Sequence, residues 1–282
     1  MKKLVGLFKL VRFELPIAAG ICVVMGQVLA LGEFTSLSIT FNAAMSVFLI
    51  SASILVSNDY FDIETDKINA PHRPIPSGAV SPSAALSFSI MLLILGLLLS
   101  YLLSIAAFVF SVALTVIGFL YNRKFKKFGL LGNLMVCFSV GLTFVFGGLS
   151  VGMPFNKMVL FFAAIAALID LGEEIAADSM DVEGDRLINS NSLAIKYGKD
   201  AAVNVSVSIF SFVIVLTLVP FIWGWFNIIY MLPILVMDFS IGFGAYKFFK
   251  SKGEEARKYI RWIYLGATFG LVVFLIMRLL GI

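Results

Sequence analysis

Residues 82–121 read PSAALSFSIMLLILGLLLSYLLSIAAFVFSVALTVIGFLY, forty positions without a charged side chain. A helix crosses a bilayer with about 20 mostly apolar residues. This stretch therefore holds two spans, 82–100 and 103–121, joined by almost nothing. The same reading, carried outward in both directions, finds seven more, at about 14–32, 38–57, 130–151, 157–177, 201–220, 226–247 and 258–280. The whole chain agrees. Of its 282 residues 60% are hydrophobic and 13% charged, where soluble domains run at about 45–50% apolar and about 25% charged. Mean hydropathy is +1.01. A water-soluble enzyme, a nucleic-acid binder and a disordered chain are excluded on these grounds. The fold class is all-α, an integral membrane protein of nine transmembrane helices.

The basic residues orient it. With the N-terminus in the cytoplasm, the interior segments begin near 2, 58, 122, 178 and 247. They hold 19 of the 21 basic residues, leaving only Lys157 and Arg278 outside. That is the positive-inside distribution, and it accounts for the net charge of +4 without nucleic acid. The C-terminus is then exterior. The first apolar run contains Glu14, Pro16 and Gln27 and outlasts a signal-peptide core, so it reads as a retained span. Cys22 and Cys137 both lie in apolar stretches and suggest neither disulfide nor zinc.

The acidic residues are distributed quite differently. Asp59, Asp62, Glu64 and Asp66 form one cluster. Asp170, Glu173, Glu174, Asp178, Asp181, Glu183 and Asp185 form another, and together these are 11 of the 17 acids. Both clusters fall at cytoplasmic span ends and run into the long loops 58–81 and 178–200, on the side where positive charge is expected. Ionisable groups at such depth mark function. Asp59, Asp62 and Asp66 are spaced i, i+3, i+7, and Asp178, Asp181 and Asp185 repeat that spacing 119 residues later. Each triplet shares one helix face, extended by Asn58 in the first and Glu174 in the second. The repetition implies one domain, 1–282, built of two similar four-helix units, about 1–121 and 130–247, with the ninth helix appended.

Two carboxylate triplets facing each other repel unless a cation compensates. Oxygen donors, with only one His in the chain, favour magnesium or calcium over zinc or iron. Magnesium completes its shell with substrate phosphates. The interspersed bases Lys67, Arg73, Arg123, Lys124, Lys126, Lys127, Arg186 and Lys196 fit the same reading: a diphosphate clamp.

Asn58-Asp59-Tyr60-Phe61-Asp62-Ile63-Glu64-Thr65-Asp66 resembles the N-D-x-x-D-x-x-x-D motif of the UbiA-type intramembrane prenyltransferases. Asn69-Ala70-Pro71-His72-Arg73-Pro74-Ile75-Pro76-Ser77-Gly78 resembles that family's N-x-P-x-R-P-x-P-S-G run. Asp178-x-x-Asp181-x-x-Gly184-Asp185 resembles its second Asp-rich motif. The resemblance spans nearly the whole chain. It implies a transferase using a polyprenyl diphosphate and Mg²⁺, with nine helices around a central cavity, capped on the cytoplasmic side and open laterally to lipid. It implies that Asn58, Asp62 and Asp66 ligate one Mg²⁺ with Asp59 close by, that Asp178, Asp181 and Asp185 serve a second, and that Arg73 binds phosphate.

Two features depart from the family pattern. Where many members carry Arg-Glu before the second motif, this chain has Glu173-Glu174. Where many carry Tyr-x-x-x-Lys, Tyr121 is followed four positions on by Phe125, so Lys124 or Lys126 takes the lysine's part. Tyr121-Asn122 with Gly129-Leu130-Leu131-Gly132-Asn133 resembles the archaeal digeranylgeranylglyceryl phosphate synthase branch, which moves a geranylgeranyl group to the sn-2 hydroxyl of geranylgeranylglyceryl phosphate. A phosphate-bearing acceptor wants a second basic patch, for which Arg123, Lys124, Lys126 and Lys127 are candidates; Lys67, Arg73, Tyr121 and Lys196 complete the expected substrate-binding set. Tyr60, Phe61 and Tyr121 are candidates to face an allylic cation, and Asp59 or Glu174 to accept the acceptor's proton. The alternative acceptor is an aromatic ring, as in quinone, haem or chlorophyll-type pathways. The expected partners are the two substrates and the bilayer, with no nucleic acid and no obligate protein partner. A cation transporter is disfavoured, because its site would sit at the bilayer midplane.

Overall fold

The computed structural model describes residues 2–187 and 189–282, and among these every side chain except those of Lys2, Lys3, Asn69 and Glu254. The topological role of Lys2 and Lys3 and the motif position of Asn69 thus lie outside the described side chains. All regular structure among the described residues is helical: α1 (Lys2–Val11), α2 (Glu14–Leu31), α3 (Leu37–Phe61), α4 (Ile63–Asn69), α5 (Pro82–Leu103), α6 (Ile105–Arg123), α7 (Leu130–Ser150), α8 (Lys157–Met180), α9 (Val182–Leu187), α10 (Leu193–Tyr197), α11 (Lys199–Leu216), α12 (Val219–Ile222), α13 (Met231–Lys250) and α14 (Glu254–Leu279), with two short 3₁₀ turns.

Polar punctuation places the boundaries. The uncharged forty-residue run is cut at Ser104, whose hydroxyl accepts from the Ala107 N–H at 3.0 Å and caps α6. Ser81 caps α5 the same way and Pro82 opens it. Asn156 caps α8 through the Met158 N–H at 2.9 Å. Pro220, lacking an N–H, sits in α12 rather than prolonging α11, so the span expected at 201–220 ends at Leu216 and resumes at Val219.

Among the described residues eight stretches are long and apolar enough to cross a membrane: α2, α3, α5, α6, α7, α14, Lys199–Ile222 and Ile228–Lys250. The helix expected as the sixth span, α8, has the length at 24 residues, but it carries Lys157, Asp170, Glu173, Glu174 and Asp178 and stands outside that class. The outer surface is clothed in exposed apolar side chains such as Leu102, Ile105, Phe138 and Phe239, which a soluble protein would not tolerate on this scale.

The packing repeats. Helices α2, α3, α5 and α6 pack in sequence, as do α7, α8, α11 and α13, and α14 lies on α13. Matching contacts recur at matching positions. Gly20 meets Ala44 between α2 and α3, and Gly141 meets Ala163 between α7 and α8. The Ser89 hydroxyl of α5 donates to the Ser53 carbonyl of α3 at 2.9 Å, and the Ser206 hydroxyl of α11 to the Gly172 carbonyl of α8 at 2.7 Å. The two units join where α2 crosses α7. A Cβ on Gly26 would lie 2.2 Å from the Phe144 carbonyl oxygen, and one on Gly147 2.1 Å from that of Val23. Only glycine permits this approach.

Candidate active site

Both motifs have the same local architecture. Helix α3 ends at Phe61, Asp62 takes φ −91°, ψ 9°, and α4 restarts at Ile63. Helix α8 ends at Met180, Asp181 takes φ −101°, ψ 14°, and α9 restarts at Val182. The i→i−4 hydrogen bonds continue through each bend: Asp66 N–H to Asp62 at 2.8 Å, Asp185 N–H to Asp181 at 3.0 Å. Each triplet so keeps its face across the break, and the short helices α4 and α9 pack on each other. The two Asp-rich segments meet at one end of the bundle.

Within the first motif every aspartate holds a cation. Asp59, almost wholly buried, accepts from Arg12 and has Arg73 at 3.5 Å. Asp66 accepts from the Arg73 Nη1 with both oxygens at 2.7 Å. Asp62 accepts from Lys126, which reaches across from the turn between α6 and α7. Burial works against charge on Arg73, but Asp59, Asp66 and Asp62 outweigh it and hold its pKa above the ordinary arginine value. Asn58 donates to Asn122 at 3.0 Å, and Asn122 donates in turn to the Ile54 carbonyl and the Ser57 hydroxyl. That network fixes the C-terminal end of α6 against α3.

The second motif is held more loosely. Asp181 pairs with Arg257 of α14. Asp178 accepts from Asn133 at 2.9 Å. Asp185 has no ion-pair partner among the described residues. Desolvation pushes its carboxyl up to about 7, and Asp178, Asp181 and Asp62 add to the effect while Lys126 opposes it.

Among the described residues no three carboxylate, imidazole or thiol groups converge as a finished metal shell; basic side chains occupy the carboxylates instead. The donor set still fits a hard divalent cation. It is all oxygen, it faces itself across α4 and α9, and the buried Asp185 has no ion-pair partner among the described residues.

Between the units lies a cavity of about 480 Å³, within the range of about 300–1,000 Å³ for ligand sites. Its walls are apolar residues of α2, α3, α6, α7, α8, α13 and α14, and Ile54, Leu55, Glu174 and Ala177 bring it to the last turns before the two motifs. Asp170, Glu173 and Glu174 also line it. Tyr121 is half-buried beside Glu174, Asp178 and Asp62.

Of the remaining expected phosphate ligands, Lys67 pairs with Glu64 at 2.7 Å on the surface, and Arg123, Lys124 and Lys196 are exposed. In the sequence Arg12 and Arg257 stand only as topological charge. Their contacts with Asp59 and Asp181 depend on tertiary packing and leave no local signal. Asn122 and Asn133 did carry a signal, as part of the branch resemblance, though not their partners.

Comparison with known proteins gives consistent results. The pattern of the UbiA prenyltransferase family matches residues 19–277. A protein of Methanococcus maripaludis named digeranylgeranylglyceryl phosphate synthase is 32% identical over 273 residues, covering 95% of this chain and 96% of its own. A solved structure described as giving structural and mechanistic insights into digeranylgeranylglyceryl phosphate synthase in membranes superimposes with a TM-score of 0.68 at 31% identity, covering 96% and 99% of the two chains. A UbiA homologue of Archaeoglobus fulgidus, solved with GPP and Mg²⁺ bound, shares the fold at TM-score 0.63 and 17% identity, over 95% and 99%.

Proposed function

The chain belongs to the UbiA prenyltransferase family, and we propose from this that it transfers a geranylgeranyl group from geranylgeranyl diphosphate to the sn-2 hydroxyl of geranylgeranylglyceryl phosphate, in archaeal ether-lipid biosynthesis. The observation that carries the reading is the meeting of the two Asp-rich segments at the polar mouth of an apolar cavity, on a chain nearly coextensive with relatives of that name.

Asn58, Asp62, Asp66, Asp178, Asp181 and Asp185 would hold two magnesium ions, which when bound neutralise the diphosphate as it leaves. Arg73 and Lys126, released from Asp66 and Asp62, present their donors to the phosphates. Arg123 and Lys124 lie beside Lys126 for the acceptor's phosphate. Asp59, set between Arg12 and Arg73, holds those guanidiniums in place rather than accepting a proton. The cavity walls exclude water from the allylic centre, and Tyr121 offers it an aromatic face.

In the membrane, α8 serves as the ninth crossing, since its carboxylates face the cavity and its partner helices rather than lipid. The N-terminus and the motifs lie on the cytoplasmic side, capped by α4, α9 and α10, and the C-terminus lies outside. Purified protein in liposomes, given Mg²⁺, labelled geranylgeranyl diphosphate and geranylgeranylglyceryl phosphate, should yield a doubly prenylated lipid phosphate, and EDTA should abolish it. Absence of that product, with diphosphate release on an aromatic acceptor, would overturn the assignment of the acceptor.

A further inference from the structure

The reaction frees a proton, and the cavity offers few groups to take it. As the acceptor oxygen bonds to the allylic carbon, the carbon–oxygen bond to diphosphate breaks and the electron pair leaves with diphosphate. The hydroxyl proton must pass to a base at the same place. Asp59 is engaged by Arg12 and Arg73, and Asp62, Asp66 and Asp181 would be committed to magnesium. A carboxylate that already accepts from a guanidinium or ammonium is a weak base.

The carboxyls of α8 inside the cavity differ. Glu173 Oε1 and Asp170 Oδ2 are buried and have no hydrogen-bond partner among the described residues. Both residues line the cavity, and they are close enough to interact electrostatically. An orphaned buried oxygen is costly unless a ligand satisfies it. Glu173 lies five residues, about 7.5 Å of helix rise, inward from Asp178, on the cavity side of the second motif. Asp170 is one turn deeper.

We infer that Glu173 is the catalytic base: its free carboxylate oxygen accepts the hydroxyl hydrogen bond of the acceptor and takes the proton as the new carbon–oxygen bond forms, with Asp170 positioning it from the turn below. The inference rests on the proposed prenyl transfer to a hydroxyl.

The test compares wild type with Glu173→Gln and Asp170→Asn, reconstituted in liposomes with labelled geranylgeranyl diphosphate. Three quantities are measured: donor affinity by equilibrium binding, transfer to geranylgeranylglyceryl phosphate, and hydrolysis of the donor without acceptor. Glu173→Gln should lose at least 100-fold in transfer, while donor affinity stays within twofold and donor hydrolysis persists. Asp170→Asn should lose less. The unchanged donor affinity separates this result from misfolding. Transfer within threefold of wild type in Glu173→Gln would overturn the inference, as would equal loss of transfer and hydrolysis. If wild type ignores this acceptor, the proposed function fails by itself, and the same three measurements with the acceptor it does use decide the role of Glu173.

Discussion

Acidification should weaken magnesium binding through Asp185. Its carboxyl titrates near 7 because it is buried, with Asp178, Asp181 and Asp62 around it. The sign follows from competition. A raised pKa means the proton is held up to neutral pH, and the metal binds only the ionised form. With a pKa of about 7, the group is about one-eleventh ionised at pH 6 and about ten-elevenths at pH 8, so this carboxyl alone lowers apparent magnesium affinity about tenfold between them, about 1.4 kcal/mol. Isothermal titration of magnesium at pH 6, 7 and 8, in buffers of different ionisation enthalpy, reads both the affinity and the proton released. Asp185→Asn should flatten the dependence and weaken binding at pH 8. Equal affinity at pH 6 and pH 8 in the wild type, or tighter binding on acidification, would refute the reasoning.

Other expectations concern single residues. Asp62→Ala and Asp178→Ala should each abolish product formation while the thermal melt in detergent stays near that of wild type, since each removes a polar contact at the mouth of the bundle and no apolar core. Lys126→Ala, which leaves Asp62 without its cation, should raise KM for the diphosphate substrate at least tenfold; Lys157→Ala, whose ammonium lies over Trp225, should leave it unchanged. Gly147→Ala forces a methyl against the Val23 carbonyl and should cost about 1–3 kcal/mol, seen as a lowered Tm, whereas Gly242→Ala, whose Cβ would meet Ile214 at an ordinary 3.5 Å, should not.

Much of this architecture is legible in the chain because the bilayer simplifies the code. Apolar length alone places the crossing helices to within a few residues, and Ser81, Ser104 and Asn156 show where capping decides the ends. The i, i+3, i+7 aspartates locate both motifs, and their faces survive the bends at Asp62 and Asp181 that no periodicity announces. Helix α8 marks the limit of hydropathy: it is a long helix whose carboxylates serve the cavity, so composition and position disagree. Partnerships are less legible. That Arg12 reaches Asp59, or Arg257 reaches Asp181, follows from tertiary packing that brings together residues 47 and 76 apart in sequence, and a lone arginine in a basic segment carries no mark of its partner.

The crossing of α2 and α7 bears on how long a prenyl chain the enzyme can take. The cavity lining runs down α2 to Cys22, one turn short of Gly26, and down α7 through Phe144 to Phe146, beside Gly147; at the Gly26–Gly147 contact backbone already touches backbone. The chamber therefore has a hard floor. Its usable depth is set by the few side chains lying just above, and the floor itself cannot recede. Substrate length becomes a matter of measurement against a fixed stop: trimming Phe144 or Phe146 lengthens the ruler, and no substitution at the glycines does.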